Sequence, residues 1–204
     1  MISAGVYTSG RIAMANLSAA IESLELRRSE GAEFDDLIAL AKLLFARGDV
    51  LGRIKDHERA ELIATEAIAI SSASAHALYI RAQLAVRFHR FEEASAVLDQ
   101  AVAAAYPRHE IDLERAALLQ AVGRYAEALN LREQLVKRDP GIQTFGGLAS
   151  LLAEMGQWSA ADTTYKMAFD ADDSVSPLPC GQLLFEWGVS AMRRGELDRA
   201  ERYS

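Results

Sequence analysis

Apolar residues recur at helical spacing twice between residues 74 and 140, in two copies of one pattern. The first copy reads SAHALYIRAQLAVRFHRFEEASAVLDQAVAAAYP, and the second reads HEIDLERAALLQAVGRYAEALNLREQLVKRDP. In each copy an amphipathic helix is predicted to end at a short turn, His89-Arg90 or Gly123-Arg124. An aromatic residue follows the turn, and an alanine lies three positions after it. The pattern therefore predicts two helical hairpins of the same design.

The alanines of this pattern are regularly spaced along most of the chain. Ala60, Ala94 and Ala128 lie 34 residues apart, and Ala161 follows 33 residues later. A helix–turn–helix unit with this period is the tetratricopeptide repeat (TPR). From residue 34 to residue 204 the chain resembles the TPR family. The resemblance implies an all-α fold, a right-handed α-solenoid of stacked helix-turn-helix hairpins that bury one another's apolar faces.

The repeats divide the chain into seven predicted segments. These are an N-terminal leader and capping helix (1–33), a divergent TPR-like hairpin with an enlarged loop (34–74), three TPRs (75–108, 109–141 and 142–173), a linker (174–180) and an incomplete TPR (181–204). The enlarged loop is expected at residues 50–55, as a tolerated insertion or as a functional addition. Because the sequence stops inside an expected second helix, we expect the natural protein to continue or another chain to cover this end.

Three details of the connections complete these expectations. Residues 1–10 are expected to form a loose leader, because their apolar residues show no sustained period. Pro177 and Pro179 lie among serines and acidic residues, so an exposed linker without helix is expected there. Gly146-Gly147 is expected inside a helix, where each glycine costs about 0.5–1 kcal/mol relative to alanine. Either a ligand backbone or a neighbouring helix would then approach this pair closely.

The resemblance also implies where a partner would bind. In TPR proteins the first helices of the hairpins line a concave groove that holds a peptide or helix of the partner. The corresponding partner-binding residues of this chain are Lys42, Phe45, Tyr79, Gln83, Arg87, Glu114, Gln120, Gly146, Gly147, Phe185 and Met192. Tyr79 and Arg87 are the expected anchor pair, because tyrosine and arginine are enriched at interface hot spots. The alternative is that these are ordinary exposed residues.

Composition narrows the classes of partner. The 29 acidic residues exceed the 22 basic ones and give a net charge of −7, which disfavours binding to nucleic-acid phosphates. No apolar run approaches the roughly 18 residues of a membrane span, so no membrane partner is expected. The N-terminus lacks the basic start of a signal peptide, which favours a cytoplasmic location. The single cysteine, Cys180, excludes an internal disulfide and a multi-cysteine metal cage.

No residues are expected to carry out catalysis or to bind a cofactor or metal. The four histidines show neither HExxH nor zinc-finger spacing, and no glycine-rich nucleotide loop is present in the sequence. Asp170 and Asp172 are spaced as in a calcium loop, but the central glycine and terminal glutamate of that loop are missing. Cys180 has no predicted base beside it. An enzymatic role is therefore not expected within these residues.

Three functional hypotheses follow. The first is a non-catalytic protein–protein interaction scaffold that binds a peptide or protein segment in a concave groove, without a cofactor. The second is the N-terminal helper domain of a longer bacterial enzyme, because TPR arrays resembling this one are fused to transferase or hydroxylase domains. The third is a self-association module that forms a homodimer through its uncapped C-terminal hairpin.

Overall fold

A computed structural model describes residues 7–31 and 33–203, and this part of the chain forms eleven helices and no strand. In chain order the helices are α1 (Gly10–Gly31), α2 (Phe34–Leu51), α3 (Ile54–Ile70), α4 (Ala75–Arg87), α5 (Phe91–Ala103), α6 (Arg108–Ala121), α7 (Tyr125–Arg138), α8 (Ile142–Glu154), α9 (Trp158–Asp170), α10 (Pro177–Arg193) and α11 (Leu197–Glu201). The predicted all-α class is confirmed. Residues 1–6 of the predicted leader and Ser204 lie outside the described residues.

The turns inside the hairpins contain a residue with positive φ. Gly123 has a φ of 77°, and Gly156 and Gly195 have φ values of 74° and 76°. Glycine has no Cβ and adopts this left-handed backbone at no steric cost. His89, with a φ of 56°, occupies the turn between α4 and α5, where a side chain makes the same backbone conformation unfavourable. The turns at His89 and Gly123 lie where the repeat pattern predicts them.

The helices form two units, each with its own core. One unit spans Met14–Leu118, and the other combines Leu119–Ser204 with the residues before Met14. In the first unit, α1 contributes Ile21 and Leu24 to a core that it shares with α2, α3 and α4. A second cluster joins α4, α5 and α6. Ala82 and Ala94 are fully buried in that cluster, because a small side chain lets α4 and α5 approach closely.

A buried ion pair closes the hairpin of α2 and α3. Arg47 Nε donates to one carboxylate oxygen of Asp56 at 2.7 Å, and Arg47 Nη2 donates to the other at 2.8 Å. Asp56 is 1% exposed and Arg47 is 7% exposed. Asp56 also lies in the first turn of α3, where the helix dipole favours a negative charge. The pair therefore links the end of α2 to the start of α3.

In the second unit, an aromatic stack holds α11 against its neighbours. The ring of Trp187 in α10 stacks between Tyr165 and Tyr203, at centroid distances of 5.6 and 4.4 Å. Trp187 Nε1 donates to Asp162 of α9 at 2.7 Å. Arg199 of α11 donates to the same carboxylate at 2.8 Å. One acidic side chain of α9 thus binds both helices that follow it.

The six-residue loop predicted at residues 50–55 is wrong. Only Gly52 and Arg53 separate α2 from α3, and Gly52 takes a φ of 62°. The additional residues lengthen the two helices instead, to 18 and 17 residues compared with 13 in α4 and in α5. The ion pair of Arg47 and Asp56 favours these longer helices, because Arg47 lies near the end of α2 and Asp56 lies near the start of α3.

The prediction of a linker without helix at residues 174–180 is also wrong over its second half. Helix α10 begins at Pro177, and the hydroxyl of Ser176 accepts a hydrogen bond from Leu178 N–H at 3.4 Å. Pro177 and Pro179 fit the first turn, because backbone N–H groups there have no partner within the helix. The connection is therefore confined to residues 171–176.

The described end of the leader is held in place rather than loose. Thr8 N–H donates to the backbone oxygen of Val175 at 2.9 Å, and Tyr7 Oη donates to Asp172 at 3.1 Å. Tyr7 also hydrogen-bonds with Cys180, and this bond, together with burial, raises the pKa of the tyrosine. Residues 7–9 therefore pack against the connection between α9 and α10.

Candidate partner-binding surface

Tyr79, one of the expected anchors, is a largely buried side chain of α4. It is 9% exposed, its ring stacks on Tyr106 with centroids 4.3 Å apart, and its hydroxyl donates to the backbone oxygen of Glu110 at 3.3 Å. Burial raises the pKa of Tyr79, and the negative charges of Glu114 and Glu110 raise it further. Tyr79 therefore connects α4 to the start of α6.

Gln83 lies one helical turn after Tyr79 and bridges the same two helices. Its amide nitrogen is 3.4 Å from Tyr79 Oη and 3.4 Å from a carboxylate oxygen of Glu114. Glu110 precedes Glu114 by four residues, so both glutamates lie on one face of α6. We name the surface formed by Tyr79, Gln83, Glu110 and Glu114 the α4–α6 face. Tyr106, in the turn before α6, supports this face and was not predicted by the repeat pattern.

A second cluster joins Phe45, from α2, to Arg87, at the end of α4. The Arg87 guanidinium donates twice to Asp49, both times at 2.8 Å, and lies over the ring of Phe45 at 5.5 Å. His57 Nε2 is 3.1 Å from Asp49 Oδ1, the oxygen that also accepts from Arg87 Nε. The His57 ring occupies the space that a Cβ on Gly48 would need, so a larger residue at position 48 would displace it.

This cluster shows which predicted residues come together in the first unit. Phe45 and Arg87 are in contact, and Lys42 is exposed on α2 one turn earlier. The charge of Arg87 is balanced by Asp49, which lies in α2. Neither Asp49 nor His57 was expected at this surface.

The glycine pair of α8 packs against side chains of its own unit. A Cβ on Gly147 would overlap the guanidinium of Arg132, and a Cβ on Gly146 would lie 3.1 Å from a methyl group of Leu183. Arg132 Nη2 also donates to the side-chain oxygen of Gln120 at 2.7 Å. Of the two explanations for the pair, close packing of a neighbouring helix is the one that the structure supports.

Helix α10 carries the last two predicted groove residues. Phe185 and Met192 are seven positions apart, which places them on one side of the helix, and they are 64% and 54% exposed. Val189, between them, is half-buried. These residues form an apolar stripe within the second unit.

A metal site, a membrane-spanning helix and a cysteine nucleophile have little support in the described residues. Over residues 7–31 and 33–203, no group of three or more histidine, cysteine, aspartate or glutamate side chains is arranged to hold a metal ion. None of the helices in this described part is both long and apolar enough to cross a membrane. Burial raises the pKa of Cys180, which opposes formation of a nucleophilic thiolate.

Known proteins share this fold at low sequence identity. No protein-family model and no curated protein matches the chain. A thermophilic TPR protein of Thermus thermophilus is 17% identical, with a TM-score of 0.67 over 89% of this chain and 93% of that one. A TPR protein of Parabacteroides merdae is 18% identical, with a TM-score of 0.62 over 94% and 86% of the two chains.

PilW, described as a widely conserved type IV pilus biogenesis factor, is similar to the same extent. It is 20% identical, with a TM-score of 0.62 over 95% of this chain and 88% of that one. At these identities the likeness concerns the fold alone. The chain is an all-α helical-repeat protein. Within that class it resembles the TPR family, as the repeat pattern predicted.

Proposed function

We propose that the chain is a non-catalytic scaffold that binds a peptide or protein segment at the α4–α6 face. The single observation that carries this proposal is the arrangement of Gln83, Glu110 and Glu114, three polar side chains on two neighbouring first helices. They are partly buried, and the described residues contain no group of three or more histidine, cysteine, aspartate or glutamate side chains arranged to hold a metal ion. The TPR fold supports the proposal, because the first helices of such repeats present the binding surface in that family.

The neighbouring cluster of Phe45 and Arg87 would extend this surface. Phe45 is partly exposed, and the guanidinium above its ring is fixed by Asp49. A fixed side chain loses little conformational entropy on binding, which favours its use as an interface residue. In the second unit, Gln120, Gly146 and Gly147 are engaged in packing. We therefore place the main binding surface in the first unit, with Lys42 at its edge.

Site-specific photo-cross-linking in the native cell tests the proposal. One variant carries the cross-linking residue at Gln83, and the matched control carries it at Gln100, an exposed glutamine of α5. We expect Gln83 to yield a defined cross-linked polypeptide and Gln100 to yield none. Equal products from both positions, or none from either, would contradict binding at the α4–α6 face.

Self-association is a second candidate, favoured by the exposed stripe on α10. Phe185 and Met192 are large apolar residues more than half exposed to solvent, and a second copy would remove them from water. Sedimentation velocity across a concentration series tests this idea. We expect a dimer that dissociates in the variant Phe185→Gln/Met192→Gln, and a wild-type monomer at every concentration would refute it.

A further inference from the structure

We propose that the chain forms a symmetric dimer in which α10 packs antiparallel against α10 of a second copy. This inference rests on the self-association candidate given above and adds the surface, the orientation and the residues that meet. It follows from two features of α10. These are the apolar stripe of Phe185, Val189 and Met192, and the two charged residues beside that stripe, Glu186 and Arg193.

The first feature, the apolar stripe, lies on the side of α10 opposite to its buried side. Helix α10 packs against α8, α9 and α11. Phe185 is two positions from both Leu183 and Trp187, which are buried, so it points about 160–200° away from each of them around the helix. Phe185 is 64% exposed and Met192 is 54% exposed. Contact with another apolar surface would remove both side chains from water, which is favourable.

The second feature is a pair of opposite charges on one flank of the stripe. Glu186 and Arg193 are seven residues apart, so they lie on the same side of α10, about 10 Å apart along its axis. Arg193 is exposed, and Glu186 is half-buried. The side-chain amide of Gln182, one turn earlier, donates to Glu186 at 2.9 Å and orients the carboxylate along this flank. Glu186 follows Phe185 directly, as Arg193 follows Met192.

These two features are complementary to themselves in an antiparallel pair. A two-fold axis brings the same surface of both copies together. With the axis near Val189, Phe185 of one copy lies level with Met192 of the other. Glu186 of one copy then lies level with Arg193 of the other, on the same flank, and this ion pair forms twice in each dimer.

A parallel pair would not give this match. Each residue would lie level with its own copy, so that Glu186 is level with Glu186, and like charges that face each other are unfavourable. In the antiparallel pair, burial of the stripe supplies most of the affinity. The two ion pairs mainly select the orientation and the register. Apolar residues therefore meet apolar residues and each charge meets its opposite, which commits this surface to a second copy of the chain.

Reversal of each charge, followed by sedimentation velocity across a concentration series, tests the orientation. The variants are Glu186→Arg and Arg193→Glu, each made in the full 204-residue chain. We expect each variant alone to raise the dimer dissociation constant by about 10-fold or more, because two attractive pairs become two repulsive ones. Circular dichroism of each variant checks that the helical fold is retained.

Mixing the two variants provides the decisive result. In a mixed dimer, the introduced arginine of one copy lies level with the introduced glutamate of the other. The unchanged Arg193 and Glu186 of the same two copies also lie level. Both pairs are restored, so we expect a 1:1 mixture to form mixed dimers at about wild-type affinity, and native mass spectrometry distinguishes these from dimers of one variant. The double variant Glu186→Arg/Arg193→Glu should likewise dimerise as wild type does.

Matched controls separate these contacts from a change in overall charge. Glu133→Arg and Lys137→Glu reverse exposed charges on α7, outside the proposed interface. We expect each to change the dissociation constant by less than about 2-fold. A further measurement leaves both charges of α10 in place. Val189→Cys should form an intermolecular disulfide under mild oxidation, because the two copies of residue 189 meet at the axis, whereas Glu133→Cys should not.

The outcomes distinguish this inference from self-association in general. Wild-type protein that is monomeric at every concentration would overturn both and leave the scaffold proposal standing. A dimer that is unchanged by either charge reversal, or equally weakened by the α7 controls, would overturn this interface but not self-association. Two weakened variants that fail to form mixed dimers, or a Val189→Cys protein that cross-links no more than Glu133→Cys, would overturn the antiparallel arrangement.

Discussion

Replacing Asp56 by asparagine should weaken the fold markedly, because it removes the negative partner of a buried cation. Arg47 is 7% exposed, and both of its hydrogen bonds to Asp56 are short, at 2.7 and 2.8 Å. Two further cations depend on the same carboxylate, with Arg53 at 3.6 Å and Arg59 at 3.7 Å. Removing one partner of a buried pair costs about 3–5 kcal/mol. Asparagine keeps the shape and one acceptor, so we expect a loss of about 3 kcal/mol, at the lower end of that range.

The assay is urea unfolding at neutral pH, followed by far-ultraviolet circular dichroism. The matched control is Asp35→Asn, which removes an exposed aspartate from the first turn of α2 and so tests the helix-dipole contribution alone. We expect the control to change the free energy of unfolding by less than about 0.5 kcal/mol. Equal free energies for Asp56→Asn and Asp35→Asn would refute the importance of the pair.

The same pair predicts a dependence of stability on pH. Hydrogen bonding from Arg47 lowers the pKa of Asp56, although burial opposes this, and the charges of Arg53 and Arg59 lower it further. The folded pKa is therefore below the unfolded value of about 3.9. The stabilisation is complete above that value and is lost as the pH falls through the folded pKa. Asp56→Asn should accordingly lose less stability than wild type as the pH is lowered from about 4, in the same urea assay.

Two further perturbations test the turns and the end of the second unit. Gly123→Ala should destabilise the fold by about 1–2 kcal/mol, since alanine is strained at the φ of 77°. Gly181→Ala should stabilise the fold by about 0.5–1 kcal/mol, because residue 181 lies inside α10 and a Cβ there has no atom close by. Thermal unfolding checks that the two changes have opposite signs. Asp162→Asn should speed amide hydrogen exchange in α11 but not in α8, because Arg194 and Arg199 lose the carboxylate that holds them. Unchanged exchange in α11 would refute that role of Asp162.

The repeat period was predictable because it depends on one steric requirement. Ala94 and Ala161 are fully buried in hairpins whose two helices pack against each other, and close packing restricts the size of the side chain there. A small side chain that recurs at a fixed position of each repeat can be recognised in the sequence without knowing which residues surround it. The glycine turns were predictable for a similar reason, since the left-handed backbone restricts the residue type.

The connections and the binding surface could not be predicted in detail, because they depend on contacts between residues that are distant in sequence. Gly48-Asp49 has the composition of a turn, yet it lies within α2, where the ring of His57 fills the space beside Gly48. Helical spacing predicted Tyr79 as an exposed groove residue of α4, but the side chain is buried and stacks on Tyr106, which precedes α6. Such pairs leave no periodic signal in the sequence.

Intermolecular nuclear Overhauser effects to a bound peptide test the central claim most directly. The account predicts contacts from the bound peptide to the side chains of Gln83 and Tyr106. It also predicts none to the methyl group of Ala96, which is exposed on α5, the second helix of the same hairpin. Contacts confined to Ala96 and its exposed neighbours, with none to Gln83 or Tyr106, would contradict binding at the α4–α6 face.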